Sequence, residues 1–274
     1  MLKTSNLSLV KKGNLEYIKF PKLEKTGIIN HLFSTRHGGV SEGFFGPMNL
    51  SFNRGEPREN VLKNYEIICS AENIQIKNLV LSAQTHTNNV ICVTKADCGK
   101  GIFKEPFSDV DGLITNERKV ALVTQYADCT PLLFCDVVNK VIATSHAGWR
   151  GTVKQIGKVT VQKMCSEYGC KPENIIVGIG PCIKECCYEV DDVVVNEFKK
   201  IDYLDLESIL TKKPNGRYML NLVRANKQIL LNAGILPSNI DESDICTCCN
   251  ADDLHSHRAS CGKRGNLAAI IELK

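Results

Sequence analysis

Three short stretches carry side chains that could do chemistry together. Ala127-Asp128-Cys129-Thr130-Pro131 offers a thiol beside a carboxylate. Ser145-His146-Ala147-Gly148-Trp149-Arg150-Gly151-Thr152 offers an imidazole beside the chain's single tryptophan. Gln84-Thr85-His86-Thr87-Asn88-Asn89 adds a second imidazole. A thiol next to an imidazole can serve as an activated nucleophile. Two imidazoles and one thiolate, His86, Cys129 and His146, can instead make a catalytic zinc site, which takes three protein ligands and keeps a fourth position open. A metal held there lowers the pKa of bound water and yields a nucleophile near neutral pH. Asp128 can orient a ligand or move a proton, or equally cap a turn at a strand end. The separations are too long to identify a site by spacing, and two buried residues that never meet would leave the same sequence. What favours a cluster is position: each candidate follows an apolar run of strand type.

Other groups are weaker candidates. Arg36-His37-Gly38-Gly39 opens a Gly-rich loop that continues to Asn49, and glycines let backbone approach a ligand closely. Cys182, Cys186 or Cys187 could share a second metal with Cys246 or Cys249, but Cys246-x-x-Cys249 is the chain's one C-x-x-C, so packed thiols at strand ends are the preferred reading. Base-deaminating zinc enzymes carry H-x-E with P-C-x-x-C. Here Pro181-Cys182 is followed by three residues before Cys186, and no histidine has Glu two places on, which excludes that family.

The elements that must position these groups alternate. Strand patterns fall at 78–82, 90–94, 110–115, 119–124, 131–136, 141–144, 174–180 and 266–273. Helical patterns fall at 59–71, from Thr152 as N-cap to about 168, at 191–200 and at 221–233. Residues 95–110 and 201–216 read as irregular loops, and 1–30 carry only weak strand signals. The 274 residues are 43% hydrophobic and 23% charged, and no linker or repeat divides them, so one α/β domain over 1–274 is expected. The net charge of +4 is scattered without a basic block, which argues against nucleic acid. No signal-peptide pattern or membrane-length apolar run occurs, so a cytoplasmic protein with mostly reduced thiols among its 14 cysteines is expected.

Taken in order, Phe33-Ser-Thr-Arg-His-Gly-Gly-Val-Ser41, Gln84-Thr-His86, Ala127-Asp-Cys-Thr-Pro131, His146-Ala-Gly-Trp-Arg-Gly151, Gly180-Pro-Cys-Ile183 and Ser256-His-Arg258 resemble the YfiH/laccase-domain family over about residues 30–273. The resemblance implies a single layered α/β/β/α domain. It implies zinc (copper has also been claimed) on His86, Cys129 and His146; with Asp128 beside the thiolate, Cys129, His146 and Asp128 are the expected catalytic set. It implies a purine nucleoside phosphorylase that converts adenosine, inosine and methylthioadenosine to base and sugar 1-phosphate, with adenosine deaminase activity. Arg36 and Arg150 are then candidates for phosphate, since Arg presents a fork matched to it; Asn49 and Gln84 are candidates for base or ribose edges. His255 departs from the family, which usually carries an aromatic residue there, and offers either altered tail packing or an extra ligand. Two other readings stand beside this one: a thiol hydrolase using Cys129 and His146, and a non-catalytic partner protein. The old polyphenol oxidase label is disfavoured, because six histidines cannot ligate four coppers. Nothing in the sequence sets an oligomeric state.

Overall fold

The computed structural model describes residues 2–274; Met1 lies outside the described residues. Strands in the first half are β1 (Ser8–Lys12), β2 (Leu15–Lys19), β3 (Ile29–Ser34), β4 (Leu79–Ala83), β5 (Val90–Cys92), β6 (Phe107–Ser108), β7 (Gly112–Thr115) and β8 (Ala121–Tyr126). The second half adds β9 (Thr130–Asp136), β10 (Val141–Ala147), β11 (Ile175–Ile179), β12 (Glu189–Val190), β13 (Leu210–Lys212), β14 (Tyr218–Leu220), β15 (Ile240–Glu242) and β16 (Leu267–Leu273). Helices are α1 (Pro21–Lys25), α2 (Arg58–Ser70), α3 (Trp149–Val153), α4 (Ile156–Tyr168), α5 (Asp192–Phe198), α6 (Leu206–Ile209) and α7 (Leu222–Asn232). None of the described helices is long and apolar enough to cross a membrane.

Two mixed sheets stack face to face. One runs β1-β2-β3-β16-β8-β4-β6 and the other β15-β11-β9-β10-β7-β5. Their central strands are apolar without interruption because both faces are covered. In β9, Leu133 and Cys135 point to the inter-sheet core, while Leu132 and Phe134 pack outward under α4 and α7. In β8, Leu122 points inward, and Ala121 and Val123 pack outward with Val61, Tyr65 and Ile68 of α2. This period of two on both sheets fixes the register, since a slip of one residue would exchange the faces. The result is an α/β/β/α layering.

Three differences from the sequence-based expectations have local causes. The helix expected from Thr152 begins at Trp149, with Gly148 as N-cap, and Gln155 at φ 58° separates α3 from α4. Thr152 is not a cap: it is buried inside α3, where its hydroxyl accepts from Asn226 Nδ2 at 3.0 Å. Residues 201–216 are not all loop: α6 and β13 lie there. With β12 and β14, β13 builds a three-stranded sheet over a satellite core of Val195, Phe198, Leu220 and Ile229. Its apolar residues are too widely spaced for either sequence period to stand out.

Candidate active site

The ends of β4, β9 and β10 meet at one edge of the stacked sheets. His86 leaves β4, Cys129 sits in the turn before β9, and His146 closes β10. Their ligand atoms all lie within 4.8 Å of one another, with Cys129 Sγ 3.8 Å from His86 Nε2. The two imidazoles meet edge to face, ring centroids 4.8 Å apart. His86 (φ 66°) and Asp128 (φ 88°) both hold left-handed backbone, which side chains rarely adopt without surrounding constraint. Gly148 closes the far side. A Cβ there would stand 2.8 Å from Cys129 Sγ and 3.0 Å from His86 Cδ2, so a side chain would push the thiol and imidazole apart.

Asp111, at the entrance to β7, supplies the constraint. Its Oδ1 accepts from His146 Nδ1 at 2.7 Å and from the His86 N–H at 3.1 Å. Its Oδ2 accepts from the Thr85 and Thr87 N–H groups at 3.0 and 2.9 Å. One buried carboxylate therefore sets both imidazole-bearing segments and leaves His146 Nε2 for the cluster. Burial opposes ionisation of Asp111, but His146 and these N–H groups outweigh it and hold the acid at about 2. Burial likewise opposes ionisation of Cys129, and the imidazoles of His146 and His86 overcome it, lowering the thiol to about 6. In return Cys129 and Asp111 overcome desolvation of His146 and raise it to about 9.

The cluster lies at the base of a cleft of about 740 Å³, within the range of small-molecule sites. One wall comes from the tail. His257, Arg258 and Arg264 line it together with Arg54, and none of the three arginines has an ion-pair partner among the described residues. Arg264 is buried and its Nε has no hydrogen-bond partner. Burial and the nearby Arg54 guanidinium lower Arg264 to about 10, so it remains charged at neutral pH.

The residues singled out from sequence divide. Gln84 and Arg150 line the cleft. Both polar ends of Gln84 are engaged, donating to Gln125 O at 2.9 Å and accepting from Gln125 N at 2.7 Å, so it ties β4 to β8. Arg150 stacks on Trp149 at 4.4 Å. Asp128 lines the cleft, but its carboxylate clasps the tail, accepting from Thr247 Oγ1 at 2.6 Å and from the Arg258 N–H at 2.7 Å. Arg36 and Asn49 are outside the cleft lining. Arg36 donates to Ala251 O at 2.7 Å and lies against Gly46. Asn49 is fully buried, accepting from the Ser51 and Asn266 N–H groups and donating to Glu56. Asn49 is saturated by these bonds and Arg36 is tied to the tail, so in this structure both join the Gly-rich segment to its surroundings and neither lines the cleft. His255 is buried too, its Nε2 3.1 Å from Met48 O, and is no ligand of the cluster. Sequence reasoning missed Asp111 and Arg264. Asp111-Gly112 at a strand entrance was the available signal for the first; the second has none, because its burial against the cleft is set by the fold and not by its neighbours in sequence.

Comparison with known proteins agrees with this geometry. A purine nucleoside phosphorylase of Bacillus subtilis strain 168, YlmD, is 36% identical over 245 residues, covering 88% of this chain and 87% of its own. Adenosine deaminase RL5, from an unknown prokaryotic organism, is 32% identical over 230 residues, 82% of this chain and 87% of that protein. The crystal structure of the hypothetical protein YfiH from Bacillus licheniformis superposes with a TM-score of 0.92 at 29% identity, over 98% of this chain and all of that one. With residues 30–274 also matched by the family described as multi-copper polyphenol oxidoreductase laccase, this chain belongs to the YfiH/laccase-domain family.

Proposed function

We propose that the protein is a zinc-dependent purine nucleoside phosphorylase that also deaminates adenosine. The observation that carries this reading is the pairing, in one cleft, of a cluster of three potential ligands with a buried guanidinium, Arg264, that has no carboxylate partner among the described residues and whose Nε makes no hydrogen bond. Phosphorolysis needs a held phosphate; deamination needs an activated water. Arg264 and Arg54 offer the first an electropositive wall whose forks match phosphate oxygens. A phosphate held on that wall would set its negative charge against the oxocarbenium-like centre that develops as the C1′–N9 bond lengthens.

His86, Cys129 and His146 would hold the metal. The donor set suits zinc: two imidazoles, one thiolate already lowered to about 6, and a carboxylate fixing one imidazole through its other nitrogen. Once bound, such an ion supplies Lewis-acid polarisation and a water of lowered pKa at its open position. Beyond these two imidazoles the cleft offers only His257, too few for a cluster of coppers, since His31, His37 and His255 are engaged elsewhere. The homologues named purine nucleoside phosphorylase and adenosine deaminase support both halves of the reading.

A specific observation favours a second reading, a thiol hydrolase: Cys129, His146 and Asp111 form a nucleophile–base–carboxylate chain with a depressed thiol. One experiment separates the two. Adenosine is incubated with purified protein of measured metal content, with and without phosphate, beside His86→Ala. Adenine and ribose 1-phosphate only in the presence of phosphate, inosine in its absence, and a zinc ion lost in the variant are the expected results. A metal-free protein that forms neither product, and whose Cys129 alkylates rapidly, would overturn the zinc reading and put the hydrolase first.

A further inference from the structure

Outside the cleft, four more thiols meet. Cys186 and Cys187 lie in the turn after β11, and Cys246 and Cys249 lie in the turn after β15. Their Sγ atoms are all within 4.8 Å of one another, and Cys249 Sγ stands 3.5 Å from Cys186 Sγ and 3.3 Å from Cys187 Sγ. Tetrahedral zinc with Zn–S bonds of about 2.3 Å places its sulfurs about 3.8 Å apart. A disulfide needs about 2.05 Å, and a cluster of several irons would wedge the thiols further apart than they are. The backbone presents the thiols as a ligand set should. The Lys184 N–H donates to Cys246 Sγ at 3.4 Å, and the Thr247 N–H donates to Cys182 O at 3.0 Å, locking one turn against the other. Cys182, buried beneath, is not one of the four.

We propose that Cys186, Cys187, Cys246 and Cys249 bind one zinc ion in a four-thiolate structural site, distinct from the cleft cluster. With four protein ligands it has no open position, which marks a structural rather than catalytic role. Soft thiolates in tetrahedral array select zinc over the hard divalent cations. The ion joins two turns some sixty residues apart, and both turns carry cleft wall. Ile183 and Tyr188 come from one side; His257 and Arg258 follow the other. Arg258 already bridges them, donating to Cys187 O at 2.9 Å and Glu189 O at 3.1 Å. The tail from 246 to 266 has no helix or strand of its own, so cross-links must supply its rigidity.

The test is metal stoichiometry on full-length protein purified under reducing conditions. Wild type is expected to carry two zinc ions per chain, His86→Ala one, and Cys186→Ser/Cys249→Ser one. His86→Ala retains every thiol of the proposed site, so it stays informative if the double serine variant fails to fold. Loaded with cobalt(II), it is expected to show intense thiolate-to-metal charge transfer together with the visible bands of a tetrahedral ion. Adding Cys249→Ser to that background is expected to weaken the charge transfer. A single zinc in wild type that disappears wholly in His86→Ala would overturn the proposal. So would iron as the second metal, or a Cys249 disulfide found by mass spectrometry of the reduced-purified chain. Because the cleft metal is followed separately through His86, failure of this site and failure of the catalytic reading give different patterns.

Discussion

The Gly-rich loop after β3 and the tail before β16 lie side by side, both polar, both carrying arginine and histidine. They are joined along their length: Arg36 N–H to Asp253 O, His37 to the Asp253 carboxylate, Leu50 N–H to Asn266 O, and Asn49 to the Asn266 N–H. In the loop, the side chains that look functional are consumed. Arg36 is held by Ala251 O, and Asn49 by Ser51, Glu56 and Asn266. In the tail, Arg264 spends Nη1 on Gly265 O and Asn266 Oδ1 but keeps an unpartnered Nε, and neither it nor Arg258 has an ion-pairing carboxylate among the described residues. A buried polar group left unsatisfied costs stability. Where it is also charged and faces a cleft, that cost is explained by a ligand. Residue type is the same in the two segments; what separates them is that the tail's arginines line the cleft and the loop's Arg36 does not.

The sharpest way to break that contrast is Arg264→Gln. It is expected to lower phosphate-dependent kcat/KM by about 100-fold, the size seen when one preorganised charge donor is removed, with zinc content retained and deamination falling far less. Steady-state kinetics of both reactions on one preparation check this. Equal loss of both activities would place Arg264 among the groups that hold the fold. Next in size is Asp111→Asn. It removes the carboxylate behind His146 and is expected to weaken zinc binding about 10–100-fold, measured by competition with a chelator. Unchanged affinity would mean that the imidazoles are oriented by the strands alone.

How much of this was legible depended on range. The stacked sheets were readable because β8, β9, β10 and β16 are long apolar runs, and the meeting of His86, Cys129 and His146 because each lies at the end of a strand. The Gly-rich loop misled for a physical reason. Its glycines serve close packing of backbone on backbone, not on ligand: a Cβ at Gly39 would stand 2.0 Å from Pro47 O. Asp111 was missed because the five hydrogen bonds its carboxylate accepts come from segments 24 to 35 residues away. The thiol cluster was undervalued for the same reason: one C-x-x-C is weak in sequence, and the adjacent Cys186-Cys187 pair meets it only through the fold.

Arg36→Met tests the scaffold half of the comparison. It leaves Ala251 O without its donor and is expected to cost about 1–3 kcal/mol of stability. Phosphorolysis should persist at wild-type rate below the melting range. Chemical denaturation and kinetics on the same sample decide it; a large drop in kcat/KM for phosphate with stability intact would return Arg36 to the site.

The smallest effect concerns the latch between loop and tail. His255 is buried against Met48 O, and His31 is buried where it accepts the Phe20 N–H at 3.0 Å. Burial, aided by the neighbouring cations Arg36 and Lys19 respectively, lowers each imidazole to about 3. An unfolded histidine titrates near 6.5. Between about pH 6.5 and 3 the unfolded chain therefore binds a proton at each position that the folded chain refuses. Stability contributed by these neutral histidines is full above 6.5 and falls as pH drops, by about 1.4 kcal/mol per pH unit per histidine. His255→Gln removes one of the two. Urea denaturation of both proteins at pH 6.5, 5.5 and 4.5 should show the variant gaining on wild type by about that increment per unit, since every other titrating group cancels in the difference. Parallel curves would mean that His255 takes up its proton in the folded state, and that the latch between scaffold and site wall opens in acid without unfolding.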